Sequence, residues 1–422
     1  MAASNRNKAI VAFGTIAFAT VCYGVVTGGM SLAQMMRRPA VFSGQSVAID
    51  GLVYRPNGAM TAHLQRLTLE GANISAPEAV ALFSPGATAT GPRESINKII
   101  VEKIATPEVK LAIPGGELIL RDILVTHMQK GMAAELRIGG GDLSIKANGA
   151  DVANFKLEAL ALGDVDVGYA YAALRGALPK GEPWRYGTLV WGGMKGALTV
   201  PRYQGTESAD IEIGELQAAV DYDGALPKRA AAAFGGIRFT PGSGIMTSGL
   251  TAIGLDTIDI SGDIKASYDW TARKMTIEDS TLSFAGLGAI KVKGVFGNVD
   301  KAILSNEADA RTAAMMAMTF ESATLRFNNG GIVDKLLEFG AKMQNKPTDT
   351  VRTEALASLS KTILGGNLRL QDGQVVLAFL KDPKSLTISL KPRAGSAPIS
   401  LGQLNGQLRD PGRFDMEMHA ND

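Results

Sequence analysis

Three histidines, His63, His127 and His419, are the chain's only imidazoles. A metal site or a base built from one segment needs spacings such as HxxxH or HxH, which place two rings on one face of a helix or strand. Neither spacing occurs, so a histidine site would need tertiary proximity. Ser358-Leu359-Ser360-Lys361 matches a serine nucleophile with a lysine three residues on, but the companion Ser-Asp-Asn and Lys-Thr-Gly elements are absent. Gly242-Ser243-Gly244 lacks the Gly-x-Ser-x-Gly spacing of a nucleophile elbow. Gly139-Gly140-Gly141-Asp142 is glycine-rich, yet no Gly-Lys-Ser/Thr and no helix follows, so it reads as a hairpin turn. Asp221-Tyr222-Asp223-Gly224 begins like a calcium loop. Ala232 stands where the bidentate Glu belongs, so this reads as a strand end and turn. The carboxylates are dispersed along strands. The expectation is a protein that is not an enzyme, with no catalytic, cofactor-binding or metal-ligating residue and no cofactor.

Composition narrows the partners. The net charge is +2, aromatics are 6%, and no basic stripe runs along the chain, so the electrostatic footprint of a nucleic-acid binder is missing. The one cysteine, Cys22, follows bulky Val21 and is no lipidation cysteine; the remainder can form no disulfide and no cysteine metal site. The 49 glycines are scattered, which fits many tight turns between short strands.

The longest apolar run is Ala9–Met30, which carries no charge. As a helix it is roughly 30 Å long, enough to cross a hydrocarbon core. A cleaved signal peptide is the alternative, with Arg6 and Lys8 as the basic region and Ser31-Leu32-Ala33 as the cleavage site. The run exceeds the usual apolar region of about 7–15 residues, which favours a retained anchor. Arg6 and Lys8 before the span nearly balance Arg37 and Arg38 after it. A short basic tail needs no translocation, so the N-terminus is expected in the cytoplasm, with a single pass and the body in a periplasm-like compartment.

The body reads as β-rich. Val47–Tyr54 and His63–Leu69 flank a Pro56-Asn57-Gly58 turn, and Asn73-Ile74-Ser75 is formally a glycosylation sequon. Ala76–Ile104 is ambiguous, and Glu94–Ile104 fits helix or strand. Strands are expected at Val109–Ile113, Glu117–Val125, Glu135–Ile138, Leu143–Ala147, Phe155–Leu162, Gly187–Trp191 and Ala197–Arg202, with a short helix at Val167–Gly176. Ile211–Tyr222 alternates with a one-residue slip, which predicts a bulge near Gly214. The clearest pattern is IDISGDIKASYDW. Ile258, Ile260, Ile264, Ala266, Tyr268 and Trp270 share one face, and polar residues take the other. Met275–Phe284 and Ile290–Phe296 complete a meander. Further on, helices are expected around Ala308–Met318, over Ile332–Gln344, and from a Thr348 or Asp349 cap to Gly365-Gly366. The last two, with balanced charge, are expected to pack on a sheet face. Strands follow at Phe320–Phe327, Asn367–Leu370, Leu386–Leu390 and Phe414–Met418, with a short segment at Gln374–Leu380 and a helical turn at Ile399–Leu404.

The fold class is therefore mostly β (α+β): long antiparallel meander sheets with a few C-terminal amphipathic helices, preceded by one N-terminal transmembrane helix. The expected divisions are an anchor or signal (1–38), a β-rich region (39–250) and a meander with helices (251–422). FAGLGAIKVKGVFGNV, ATLRFNNGGIVDKLLEFGAK and FLKDPKSLTISLKP give Thr257–Asn421 a resemblance to the YdgA-like and AsmA-like anchored envelope proteins of Gram-negative bacteria. The resemblance implies an inner-membrane-anchored periplasmic protein and, for the AsmA-like group, lipid handling along a sheet groove. It brings no catalytic residues. The partners then expected are the membrane, lipid, and other envelope proteins. The rival reading is a scaffold or accessory subunit acting through protein contacts.

Overall fold

The computed structural model describes residues 44–57, 60–83, 92–147, 149–174, 177, 181–202, 205–242, 251, 254–364, 370–407 and 411–422. The expected span Ala9–Met30 and its cleavage alternative lie outside the described residues. Among the described residues no helix is long and apolar enough to cross a membrane.

The protein is mostly antiparallel β with several helices. β1 (Gln45–Asn57) and β2 (Met60–Ala72) form the first hairpin. A capping box opens α1 (Ala76–Phe83): the Ser75 N–H and hydroxyl both donate to Glu78 Oε2, at 2.8 and 2.7 Å. α2 (Pro92–Asn97) starts on a proline, which fits the first helical position. The ambiguous Glu94–Ile104 is thus helix to Asn97 and strand from Ile100. β3 (Ile100–Ile113) and β4 (Gly116–Gln129) pair over their length.

β5 (Met132–Ile138) and β6 (Gly140–Ala147) lie one after the other along β4 and do not pair with each other. The Gly139–Asp142 run is therefore not a hairpin turn but a kink within one long strand. β7 (Ala150–Leu157) and β8 (Leu160–Asp166) repeat the device, so the expected strand Phe155–Leu162 is interrupted at Glu158-Ala159. α3 (Val167–Leu174) follows. β9 (Thr188–Trp191) with β10 (Met194–Arg202), and β11 (Gly205–Ile213) with β12 (Leu216–Asp223), kink likewise. The slip near Gly214 is the second of these kinks, as the alternation implied. β13 (Leu226–Pro241) spans both halves and pairs with β11, β12 and β14 (Ile258–Asp269). The sequence pattern had not marked β13, because its Ala230–Ala233 core shows no contrast between faces.

β15 (Lys274–Phe284) and β16 (Gly288–Gly297) continue the meander. A 3-10 turn at Lys301–Leu304 and α4 (Ala308–Ala317) lead to β17 (Thr319–Asn329). Then come α5 (Ile332–Gln344), α6 (Thr348–Leu364) and α7 (Leu370–Lys381). Of the expected strand Asn367–Leu370 only Leu370 is among the described residues, and it opens α7, which also takes in the short segment at Gln374–Leu380. The apolar Val375, Val376 and Phe379 suit either state by composition. α5 packs on α6, α6 on α7, and α7 lies on the sheet, against β18 (Ser385–Pro392) and the terminal strand. β19 (Ile399–Ser400) touches β17, α8 (Leu401–Gln407) follows it, and β20 (Phe414–Ala420) pairs with β18.

The kinks line up. Gly139, Glu158-Ala159, Gly192-Gly193, Gly214-Glu215 and Gly235-Gly236 sit side by side on successive long strands. Their backbones are joined across the line: Gly139 N–H to Arg121 O at 2.8 Å, Glu158 N–H to Gly193 O at 2.9 Å, Gly214 N–H to Gly236 O at 2.6 Å. Bulges bend a strand, so this row is a crease across the sheet. It divides each long strand into two halves.

Helices seal one half. Val47, Leu69, Val101, Val125, Leu162, Ala218, Ala232, Ala266 and Tyr268, all on that side of the crease, form one buried core with Ala79 of α1, Tyr171 of α3 and Ala314 of α4. The cap is tied together by polar groups. Buried Asp166 caps α3, accepting from Tyr169 N–H at 2.7 Å, and takes Arg93 at 2.6 Å. Arg93 also reaches Glu182. Burial alone would lower the guanidinium's pKa, but the charges of Asp166 and Glu182 raise it above its ordinary value. The Gly181 N–H donates to Asn306 Oδ1 at 2.9 Å, and Asn306 Nδ2 donates to the Tyr169 hydroxyl at 3.2 Å. Residues following β8 thereby meet residues following β16, which requires the sheet to curl around the cap.

Candidate functional site

The sequence offered no catalytic constellation, and the three histidines stand on three different strands. His63 on β2 faces Lys110 of β3, His419 on β20 faces Thr387 of β18, and His127 on β4 sits at φ +49°. All three are exposed. Among the described residues no group of three or more His, Cys, Asp or Glu is placed to hold a metal ion. Asp221–Asp223 end β12 and Gly224 turns the chain. Ser358 lies in α6, where the neighbouring Ser360 hydroxyl donates to Leu356 O at 2.8 Å.

The unusual surface is the inner face of the half that the cap leaves open. Register makes it visible. Leu52 of β1 faces Leu64, which faces Val109, then Leu120, Gly141 and Leu157. The same row continues through Met194, Ile213, Ile237, Ile260, Phe284 and Gly288 of β16. It crosses twelve strands without a charge or a polar side chain. At about 4.8 Å per strand it is roughly 50 Å long. A second row runs beside it through Leu118, Leu143, Phe155, Gly196, Ile211, Phe239 and Ile258.

Most of these side chains are neither sealed nor fully exposed. Phe155, Ile211, Ile213, Ile237, Phe239, Ile260 and Phe284 are all half-buried. Leu282 and Leu325, farther along the same face, are 36% and 40% exposed. Near β1 the face closes on itself, with Leu52, Tyr54, Leu64 and Val109 in a small core. Near β20 α7 covers it, and Phe379 meets Phe327 edge-on with ring centroids 6.0 Å apart. Between those ends the strip is open.

The outer face of the same strands is its opposite. Asp142, Lys156, Lys195, Glu212, Arg238 and Asp259 stand side by side. Arg238 bridges Glu212 at 3.0 Å and Asp259 at 2.9 Å. A shallow recess among Lys195, Asp210, Glu212 and Arg238 is lined by these charges, and Arg238 already has its two carboxylate partners. Exposed ion pairs of this kind contribute little to stability. They keep one side of the sheet wet, while the other side presents apolar side chains.

Sequence reasoning identified apolar faces strand by strand but not the rows, because register across strands is set by the kinks. The signal available was the glycine content at Gly139–Gly141, Gly192-Gly193 and Gly235-Gly236.

A family model described only as an uncharacterized protein matches residues 281–421. Comparison with curated proteins and with solved structures finds no match.

Proposed function

We propose that this is a non-enzymatic envelope protein, anchored in the inner membrane with its body in the periplasm, that binds or passes lipid along the inner face of its sheet. The observation that carries the reading is the uncharged row from Leu52 to Gly288. A hydrocarbon core about 30 Å thick holds two leaflets, so the open part of the row, from Leu120 to Gly288 and roughly 38 Å long, accommodates about two acyl chains end to end. An unfilled apolar strip of that size on a protein surface marks a binding surface. The resemblance of Thr257–Asn421 to AsmA-like proteins leads the same way, and the Ala9–Met30 run supplies the membrane.

The test is photocrosslinking of the full-length chain in its membrane to a phospholipid with a diazirine in its acyl chain. Adducts are expected within Met194–Ile213 and Ile237–Ile260, and Ile237→Asp should remove them. Adducts confined to Ala9–Met30, or spread over the outer face, would refute lipid binding. A scaffold role is the second reading. It is favoured by β1 and β20, which each pair with a single strand among the described residues and so present open edges. Protein crosslinks at Asp50 or Glu417 in place of lipid adducts would select it.

A further inference from the structure

We propose that α5 lays the open end of the sheet against a bilayer, with Leu336 and Met343 entering the boundary between headgroups and acyl chains. The purpose of this contact rests on the lipid reading above; its geometry does not. Leu336 and Met343 are seven residues apart on one helix, so they share a face, and they are 53% and 72% exposed. This is not the face that α5 uses for packing. The packing side carries buried Ala341, and Asp334 beside it pairs with Arg352 of α6 at 2.9 Å.

Charge is distributed as an anionic bilayer surface requires. At about 100° per residue, Lys335 and Lys342 lie roughly 100–120° to one side of Leu336, while Asp334 and Glu338 lie on the far side. The helix carries two acids and two lysines, so its charge balances overall. The helical positions separate the two signs. The exposed Lys342 stem can then run alongside the apolar stripe with its ammonium group at the headgroups, while Lys335 on the same side is held by a backbone carbonyl.

Position favours the same occupant. The backbone N–H groups of Gly330 and Ile332 donate to Leu287 O at 2.9 and 3.2 Å, and Lys335 Nζ donates to Gly254 O at 3.0 Å. α5 therefore starts at the strand ends opposite the cap. The partly exposed Leu282 and Leu325 belong to the inner face of these same strands. Tether length allows the orientation. β1 has 13 residues and starts at the capped end, so the open end is about 43 Å farther along the strands. The 14 residues Ser31–Gly44 span at most about 46–50 Å. An anchor at Ala9–Met30 thus leaves enough chain for the open end to face the membrane.

The experiment places an environment-sensitive fluorophore on the full-length Cys22→Ser protein at one of Met343→Cys, Leu336→Cys, Glu338→Cys or Met316→Cys. Vesicles of phosphatidylcholine and phosphatidylglycerol carry spin labels on their acyl chains. The expected result is a blue shift and loss of most emission at 343 and 336, with 338 unaffected. An unquenched label at 343 overturns the proposal. A label quenched at 316 but not at 343 also overturns it and turns the capped end, where Met315 and Met316 of α4 are exposed, toward the membrane. A quenched 343 without lipid adducts on the inner face keeps the docking and removes the lipid groove. Inner-face adducts with a dry 343 do the reverse.

Discussion

Gly193→Ala tests whether the crease is required by the backbone. Gly193 has φ +104°, and a Cβ there would lie 2.0 Å from Ile213 O and 2.8 Å from Gly214 O. Carbon and carbonyl oxygen meet at about 3.3 Å, so β10 must move by more than about 1 Å. The move breaks the bonds from Glu158 N–H to Gly193 O and from Gly192 N–H to Ala159 O, at 2.9 and 2.8 Å. Each such bond is worth about 1 kcal/mol, and an alanine at this φ costs a further 1–3 kcal/mol or so. The expected loss is about 4 kcal/mol. For a chain of 422 residues, at roughly 2.1 cal/mol/K per residue, this lowers Tm by about 5 °C. Gly149→Ala is the control: φ is +79°, but nothing lies within 4 Å, so only the backbone term of about 1–2 kcal/mol applies. Thermal unfolding of the full-length protein in detergent, followed by tryptophan emission, reads both. Equal shifts for the two variants would refute the argument that the crease depends on close backbone approach.

Trp270→Phe should cost about 2 kcal/mol, because Nε1–H donates at 2.6 Å to the carbonyl of fully buried Pro227 and the ring stacks on Tyr268 at 5.3 Å; an unchanged Tm would count against it. Asp164 is buried at φ +51°, and burial raises its pKa. The native state then binds the proton more readily than the unfolded chain, so the charged form weakens the fold above the folded pKa and the penalty disappears below the unfolded value of about 3.9. Asp164→Asn should therefore stabilise the protein at neutral pH and lose that advantage in acid; a gain independent of pH would contradict the assignment.

The strands of Thr257–Val299 were legible because each has one wet face, so alternation in residue type follows alternation in burial. The Gly214 bulge was legible for the same reason, since a slip in pattern is a slip in register. β13 was not. Ala230 and Ala232 face inward while Ala231 and Ala233 face outward, and four alanines carry no record of which is which. Helix propensity of alanine points the wrong way there, and pairing with β12 and β14 overrides it. α7 was missed because Val375, Val376 and Phe379 are also good strand formers. The helices were expected to cover the sheet directly, yet α5 meets it at the end of β17, through Asn329, and α7 lies against β18 and β20. The apolar strip was illegible in principle from single strands, because it exists only once the kinks have set neighbouring strands into register.

The seal over the capped half joins Val47, on the first strand, to Leu401, at the start of α8. No shorter stretch of chain contains all of its parts. At a synthesis rate of about 5–20 residues per second, tens of seconds separate the arrival of the two. Through that interval a growing sheet has an unpaired leading edge and an uncovered greasy floor. Such an intermediate is the kind of client that a holdase chaperone protects. On the periplasmic reading proposed above, export of this protein should be sensitive to loss of periplasmic holdases, and its resistance to proteases should appear only after residue 401 has emerged.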